Sequence, residues 1–385
     1  TTLFKLKIMC EYILVSFCNI RALTASPLLC LQIPEKSDNE ISWASVSLGY
    51  SDLIVSATGL ACSEDRVFVL FVSRWNVFYV SVLRKNDLSF VYCQELPDVK
   101  DGHSILVIGE HLYIVSTGTD QVLCYNIKEK SLENPRVIWA ASATGIDTHH
   151  INSIVEKDGD ILVSAFGQKS GQLWATASKG YIYNITKNLE FADEIYHPHS
   201  LSVNNGKIYY SDSHRNSFCV VGEQDAIINL NGYTRGIAWL SYNLVCLASS
   251  IGRRISKSTG LISNSADPGE AVGECGILLL DIQNKEIIRK IDLSWFGPEI
   301  YDVLVLHGLK EKLINLSNSS QRSEYQAVQI LSNELVSYHQ QVQSFTVQVS
   351  ELEQQVQGLV AQVSEREQQV QGLVAQVSER EQQVQ

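Results

Sequence analysis

The sequence predicts an all-β fold, a six-bladed β-propeller closed by N-terminal strands and followed by a C-terminal α-helical coiled coil. Three observations support this prediction. A strand–turn–strand pattern recurs along the chain, the last copy of the pattern lacks its second strand, and a heptad series of apolar residues fills the C-terminal part. Internal repeats of about 20 to 50 residues are typical of propellers and solenoids, and an apolar heptad is typical of coiled coils.

The recurring pattern is an apolar strand, a turn and a second apolar strand. The segment HSLSVNNGKIYYSDS from His199 aligns without gaps with HSILVIGEHLYIVST from His103, and turn residues such as Asn205 and Gly206 separate the two strands. Turns of this kind between apolar runs predict β-hairpins. Outer strands are expected after the hairpins, as in QVLCYNI, GYIYNIT and GILLLDI. The six copies begin at Thr58, His103, Asn152, His199, Arg235 and Asp302.

The copy that begins at Asp302 has a first strand but no second one, because a polar segment and a helical pattern follow it. Residues 11–19, EYILVSFCN, resemble the second strand GDILVSAFG of the Asn152 copy. We therefore predict that this N-terminal segment completes the last blade, which removes the free sheet edges that β architectures must manage. A signal peptide is the alternative interpretation, since Lys5 and Lys7 precede an apolar run.

Composition restricts the class of protein. The sequence contains no window of about 18 unbroken apolar residues, so no membrane span is expected. The net charge of −12 argues against nucleic acid as a partner, because binding to phosphates requires a basic face. The nine cysteines show no C-x-x-C spacing, which favours buried free thiols in a reducing, cytoplasmic compartment over disulfides or a zinc ribbon.

Polar residues are expected to converge on one mouth of the central channel. In a propeller the innermost strand of each blade lines this channel, so the six starting residues form a ring there. Two positions earlier stand Ser56, Asp101, His150, His197, Tyr233 and Ile300, and just after two of the second strands come Asp212, His214, Arg215, Arg253 and Arg254. If these residues only satisfy one another, pairs such as Arg235 with Asp302 are expected.

Two kinds of ligand fit the residues at this mouth. Imidazole and oxygen donors for a divalent metal ion are offered by His103, Asn152, His199 and Asp302. Charge-assisted hydrogen bonds to a small polar or anionic molecule are offered by His197, Asp212, Arg215, Tyr233, Arg235, Arg253 and Arg254. The sequence has no G-x-S-x-G elbow and no phosphate-binding glycine loop. If the protein is an enzyme, His150 or His214 is expected to carry the proton.

Five short motifs in the second half of the propeller carry a family resemblance. They are HIN at 150–152, PHS at 198–200, GYTRGIAW at 232–239, CGILLLD at 275–281 and EIYDVLVL at 299–306. Together they resemble an uncharacterised bacterial family, a conserved hypothetical domain of unknown function with a propeller-like fold. The resemblance implies the fold and a polar channel mouth but no reaction. In architecture, the predicted propeller is also similar to six-bladed metal-dependent lactonases and lyases.

A second module is predicted after the propeller. Apolar residues alternate at spacings of three and four from Val328 to Val384, and Val paired with Leu favours a parallel dimer. Arg366 and Arg380 interrupt this seam in its distal part. The predicted organisation is a propeller at 1–310, a linker at 311–327 and a coiled-coil tail with 14-residue repeats at 328–385.

The functional hypotheses follow from these two modules. The first is a domain that binds a small polar or anionic ligand, with or without a divalent metal ion, at the channel mouth. A metal-dependent lyase or hydrolase is the second hypothesis, and a non-catalytic interaction scaffold that oligomerises through its coiled coil is the third. Whether the protein is an enzyme stays open at this point.

Overall fold

Six antiparallel sheets of four strands each form the first of two structural units in the computed structural model. The two units are residues 1–329 and residues 330–385. The structure describes residues 11–19, 26–34, 41–171, 174–251, 274–307, 309, 344–345 and 348–374. Each sheet is one blade, so the first unit is a six-bladed β-propeller, as the repeats predicted.

One blade combines strands from both ends of the propeller sequence. From the axis outward it contains β24 (Glu299–Leu306), β1 (Glu11–Cys18), β2 (Leu28–Ile33) and β3 (Ser42–Ser45). The strand predicted over residues 11–19 is present as β1. It lies between two antiparallel neighbours, with Val15 opposite both Val303 and Leu29. Ile13, Val15 and Phe17 are fully buried, so this segment is part of the core.

The other five blades run from the innermost to the outermost strand in chain order. The first contains β4 (Ile54–Cys62), β5 (Arg66–Ser73), β6 (Phe78–Arg84) and β7 (Phe90–Glu95). The second contains β8 (Gly102–Ile108), β9 (His111–Ser116), β10 (Gln121–Ile127) and β11 (Leu132–Ala140). The third contains β12 (Ile151–Lys157), β13 (Asp160–Ala165), β14 (Gly180–Asn184) and β15 (Leu189–Ile195). The fourth contains β16 (Pro198–Asn204), β17 (Lys207–Asp212), β18 (Ser217–Val220) and β19 (Ile228–Asn229). The fifth contains β20 (Tyr233–Trp239), β21 (Leu244–Ser250), β22 (Gly276–Asp281) and β23 (Glu286–Asp292).

Hydroxyl side chains connect neighbouring blades near the axis. The innermost strands contact one another in the order β4, β8, β12, β16, β20 and β24, and β24 also contacts β4. Across these boundaries Ser16 donates to the Thr58 carbonyl at 2.7 Å, Thr58 to Gly102 at 2.9 Å and Ser250 to Ile300 at 3.1 Å. Buried carbonyls need such partners. Hydroxyls on the second strand, at Ser16 and Ser250, and on the innermost strand, at Thr58, therefore fix the start of the next blade.

The apolar core lies between the blades and not in one central layer. The largest cluster joins Ile13 and Val15 of β1 to Leu279 of β22 and Val303 of β24. The thiols contribute to this packing, since Cys30, Cys246 and Cys275 are fully buried. All the cysteines in the described part of the chain are free.

The described residues of the second unit are helical, at 344–345 and in a longer segment over 348–374. Val349, Leu352, Val356 and Leu359 all lie on it with more than half of their surface exposed. No helix in the described ranges is long and apolar enough to cross a membrane. The helix agrees with the predicted secondary structure of the tail, and the coiled coil stays a prediction.

Candidate functional site

A backbone irregularity recurs in all six innermost strands at the place where each repeat copy begins. In every case the strand has one residue more than its partner over this stretch. The extra residue is Asn152 in β12, Gly236 in β20 and Tyr301 in β24. Such bulges redirect side chains and are frequent near binding sites. Here they redirect the backbone at the channel mouth.

Three residues just before the innermost strands adopt left-handed backbone conformations. They are Asp101 with φ +47°, His150 with φ +52° and His197 with φ +36°. All three stand two positions before a repeat start. Non-glycine residues avoid this region at a cost of about 1–3 kcal/mol, and such residues cluster at functional sites. The strain supports the prediction that this mouth carries the function.

Four histidines gather there around aromatic side chains. The ring of His103 meets the ring of His150 edge-on, with centroids 5.2 Å apart. Phe166 contacts three of the rings, at 4.6 Å from His150, 4.2 Å from His197 and 5.0 Å from His199. All four imidazoles are buried. The structure thus brings together predicted residues from three different blades.

His150 is oriented by Asp147. One carboxylate oxygen of Asp147 accepts the backbone N–H of His150 at 3.0 Å, and the other lies 3.0 Å from Nδ1 of its ring. A carboxylate at Nδ1 fixes the hydrogen there and leaves Nε2 as the acceptor. The ring also packs against Trp174, at 4.7 Å between centroids. This arrangement suits a proton acceptor.

Asp120 holds the segment that presents His150. Its fully buried carboxylate accepts the backbone N–H groups of Thr148 and His149 at 2.7 and 2.9 Å and the hydroxyl of Thr148 at 2.6 Å. Buried carboxylates are stable when they accept several hydrogen bonds. Asp120 therefore acts on the site through the backbone that precedes His150.

Arg235 forms the charged part of the mouth. Its Nη1 donates to Glu299 at 3.0 Å, and its guanidinium lies over the rings of Tyr233 and Tyr301 at 4.6 and 4.8 Å. The expected pairing of Arg235 with Asp302 is therefore wrong. The carboxylate that Arg235 contacts belongs to Glu299, the first residue of β24. Nη2 also donates to the hydroxyl of Tyr233 at 3.3 Å, and that hydroxyl lies 3.4 Å from Nε2 of His199.

Burial sets the ionisation of these groups. It lowers the pKa of His103, of His199 and of His197, the last to about 4. Burial would also lower the pKa of Arg235, but Tyr233, Glu299 and Tyr301 beside it outweigh this effect and raise it. At neutral pH these three imidazoles are therefore uncharged and lie in the same site as one compensated guanidinium.

Four other predicted residues serve mainly to hold their own segments. Asp212 accepts the backbone N–H groups of His214 and Arg215 at 3.1 and 2.9 Å. The guanidinium of Arg215 lies over Tyr196 at 4.0 Å on the rim, and the His214 ring lies 5.0 Å from His197. Nε2 of His197 donates to the Ala177 carbonyl at 2.9 Å. Arg253 and Arg254 lie outside the described residues.

Two of the four predicted metal ligands, Asn152 and Asp302, already make hydrogen bonds within the protein. Asn152 donates to the His150 carbonyl and accepts the Ser164 hydroxyl. Asp302 accepts the backbone N–H groups of Leu60 and Val303. These side chains therefore already satisfy backbone and hydroxyl groups nearby. In the described ranges no group of three or more His, Cys, Asp or Glu side chains could hold a metal ion.

The comparison with protein families shows to which family the chain belongs. A family model described as a domain of unknown function, DUF4915, matches residues 59–314. The chain belongs to this family. The prediction of an uncharacterised propeller family is therefore confirmed. A search of curated proteins found no match to this DUF4915 chain.

The solved structures to which this DUF4915 protein is similar match it at low sequence identity. The nidogen/laminin complex is 11% identical, with 78% of this chain and 100% of that chain covered and a TM-score of 0.53. A putative 6-phosphogluconolactonase from Bacteroides fragilis is 11% identical, with coverages of 80% and 100% and a TM-score of 0.49. The periplasmic gluconolactonase of Pseudomonas aeruginosa is 10% identical, with coverages of 78% and 99% and a TM-score of 0.48.

Several residues of the site were not predicted from the DUF4915 sequence. Glu299 and Tyr301 lie in the last repeat, but the gapless alignment pointed to Asp302 because it does not show bulges. Asp147, Phe166 and Trp174 lie in loops between strands, where the repeat pattern gives no equivalent. The one usable signal was the polar stretch DTHH at 147–150, whose acid and histidine are three residues apart.

The buried, neutral state of His197 has a measurable consequence for stability. Its folded pKa of about 4 lies below the unfolded value of about 6.5. Between these values only the unfolded state gains the proton, so stability is lost as pH falls. In His197→Gln, which keeps an N–H donor for Ala177, this loss is absent. We expect the stability advantage of the wild type over this variant to shrink by up to about 3 kcal/mol between pH 7 and pH 4.

Urea unfolding of both proteins at pH 7, 5.5 and 4 measures this difference directly. Comparing the two proteins removes the opposite contribution of Asp302, whose pKa burial raises to about 7. A difference that does not change with pH would mean that His197 is protonated equally in both states.

Proposed function

We propose that the channel mouth binds a small polar ligand through His103, Arg235 and Tyr301. One observation carries the proposal. Nδ1 of His103, Nε of Arg235 and the hydroxyl of Tyr301 are buried without a hydrogen-bond partner in the described part of the chain. The Tyr301 ring lies 5.5 Å from the His103 ring and under the Arg235 guanidinium. Such groups in one place require an explanation, and a ligand supplies it.

We place the entrance to these groups beside Asp101. Its side chain is 58% exposed, and its carboxylate is 3.5 Å from Nε2 of His103. A ligand that approaches here reaches His103 first and the other two groups behind it. This route is supported because the half-exposed Asp101 lies next to His103, one of the buried groups that lack a partner.

The charges at the mouth restrict the chemical class of the ligand. Arg235 provides an N–H donor, but Glu299 already compensates its positive charge. A strongly anionic ligand would have to displace Glu299 from a buried pair, which costs several kcal/mol. The arrangement therefore favours a neutral or singly charged molecule with several acceptor oxygens, such as a sugar, its lactone or its sugar acid.

The first test uses three probes that share one carbon skeleton: D-glucose, D-glucono-1,5-lactone and D-gluconate. We expect at least one of them to bind at the mouth. Tyr301→Phe removes only the hydroxyl and should weaken that binding about tenfold, because a hydrogen bond contributes roughly 1–1.5 kcal/mol. Isothermal titration calorimetry with freshly prepared probe solutions at neutral pH measures the affinities of the wild type and of Tyr301→Phe.

Tyr242→Phe is the matched control, since Tyr242 is 59% exposed on the surface. It should bind the probe as tightly as the wild type. Equal affinities for the Tyr301 variant and this control, or no binding of any probe at millimolar concentration, would contradict the proposal.

Proton-transfer chemistry at the same mouth is the second candidate function. The observation in its favour is the double contact of Asp147 with the backbone and ring of His150. Nε2 of His150 would accept a proton from a substrate or a water molecule, which is the role expected of this residue if the protein is a lyase or hydrolase. In this case the lactone would be consumed in the calorimeter, whereas the acid and the sugar would only bind.

We also propose that the tail associates with a second copy of the chain. The helix over 348–374 exposes an apolar series with spacings of three and four from Val349 to Val363, and the series continues with Val370 and Leu373 after the interruption at Arg366. One helix alone cannot bury such a stripe. A parallel dimer is the partner that the Val and Leu positions favour, and the propeller would then act in pairs.

A further inference from the structure

The central channel contains a cavity that begins at the mouth, where it shares His199 and Tyr301 with it, and extends away from it. It has a volume of about 330 Å³ and is lined by the innermost strands of all six blades. Its inner end is formed by Asn152, His199 and Tyr301, and from there it extends along the strands toward Cys62, Trp239 and His307. We name it the axial well. Its size is in the range of small-molecule sites.

Asp302 is the carboxylate that lines this well. Its oxygens accept the backbone N–H groups of Leu60 at 3.0 Å and Val303 at 2.9 Å. Its side chain is only partly exposed. Among the described residues no Lys, Arg or His side chain lies within ion-pair distance of it. The nearby His307 lies at 3.0 Å from Glu11 instead.

The environment of this carboxylate is poor in compensating charge. Burial raises the pKa of Asp302 to about 7, and the two backbone hydrogen bonds only partly offset this effect. His199 also borders the well, but burial lowers its pKa, so it is uncharged at neutral pH. A cation in the well would compensate the negative charge of the ionised Asp302 carboxylate, which no side chain of the described residues does.

The other walls of the well combine hydroxyls with apolar groups. Ser104 and Ser202 supply the hydroxyls, and Leu60, Ile154 and Val305 supply apolar side chains. The Ser202 hydroxyl already accepts the indole N–H of Trp239 at 2.9 Å. These walls favour a ligand with a short hydrocarbon part behind its polar end.

We propose that the axial well binds a small organic cation, a primary ammonium ion with a short hydrocarbon chain, whose charge pairs with Asp302. The carboxylate selects the cation, and the apolar strand residues receive the chain. The same carboxylate, when ionised, repels an anion in the well. This inference does not depend on the ligand proposed for the mouth.

The test uses n-butylammonium chloride as the probe and 1-butanol as its uncharged counterpart. Titration calorimetry on the full chain should show binding of the ammonium ion and much weaker binding of the alcohol. The cation requires the ionised form of Asp302, which is about ten times more abundant at pH 8 than at pH 6. We therefore expect about tenfold tighter binding at pH 8.

Asp302→Asn removes the charge and should abolish binding of the probe at both pH values. Asp158→Asn is the matched control, since the Asp158 side chain is 78% exposed, and it should bind like the wild type. If Asp302→Asn does not fold, Cys62→Phe narrows the well and leaves the carboxylate intact, and it should weaken binding at least tenfold. Butanol that binds as tightly as butylammonium, or an affinity that is equal at both pH values, would overturn the proposal.

Discussion

Deletion of residues 1–20 is expected to leave the protein aggregated or largely unfolded. The deletion removes β1, the strand that pairs with both β24 and β2. It also removes the fully buried side chains Ile13, Leu14, Val15 and Phe17. Burial of such side chains contributes about 1.5–3 kcal/mol each, so roughly 10 kcal/mol is lost. Whole domains are stable by only about 5–15 kcal/mol.

The exposed edges add a second cause. Without β1, β24 and β2 both present unpaired backbone groups, and such edges pair with other chains. Circular dichroism, urea unfolding and size-exclusion chromatography measure the outcome. Deletion of residues 1–10, which leaves β1 whole, is the control and should fold cooperatively. A soluble and cooperative product of the longer deletion would show that β1 is dispensable and would favour the signal-peptide interpretation.

Truncation of the chain after Ser320 is expected to convert an oligomer into a monomer. The truncation removes the helix over 348–374, whose apolar residues are more than half exposed in one chain. Sedimentation velocity should show a dimer or larger species for the full chain, in a concentration-dependent manner, and a single monomeric species for the truncated one. We expect complete conversion to the monomer, because the predicted contact between the two copies lies entirely in the apolar seam of the tail.

Replacement of Leu352 and Leu359 by Asp should mimic the truncation. Both residues occupy neighbouring positions of the apolar series, and a charge there would be desolvated and would repel its copy on the partner helix. Exchange of the exposed Gln354 and Gln355 for Glu is the control, because both lie off the series, and it should leave the assembly intact. A truncated chain that still sediments as a stable dimer would place the contact on the blades.

The repeats made the architecture predictable. Alternating apolar residues, two turn residues and a fixed distance between copies define hairpins locally, without any long-range information. The missing second strand of the Asp302 copy, together with its likeness to residues 11–19, indicated a strand at β1. The helical tail was predictable for the same reason, since its period is a property of neighbouring residues.

The site was predictable only as a region. The repeat alignment placed His103, His150, His197, His199, Tyr233 and Arg235 at one mouth, and the structure does bring them together. The alignment could not show which of the polar residues at the mouth already form hydrogen bonds within the protein. Asn152 and Asp212 satisfy backbone and hydroxyl groups nearby, because a buried polar atom must find a partner wherever the packing allows one.

The sequence by itself determined the repeat, the number of blades and the polar character of the mouth, because these depend on the period and type of neighbouring residues. The tertiary structure decided which side chains meet. Bulges in the innermost strands shift the register by one residue, which placed Tyr301 beside His103 and Arg235 and left Asp302 in the axial well. A shift of one residue moves a side chain to the other face of a strand. The pairing of Arg235 with Glu299 depends on that shift and on contacts between blades distant in the chain.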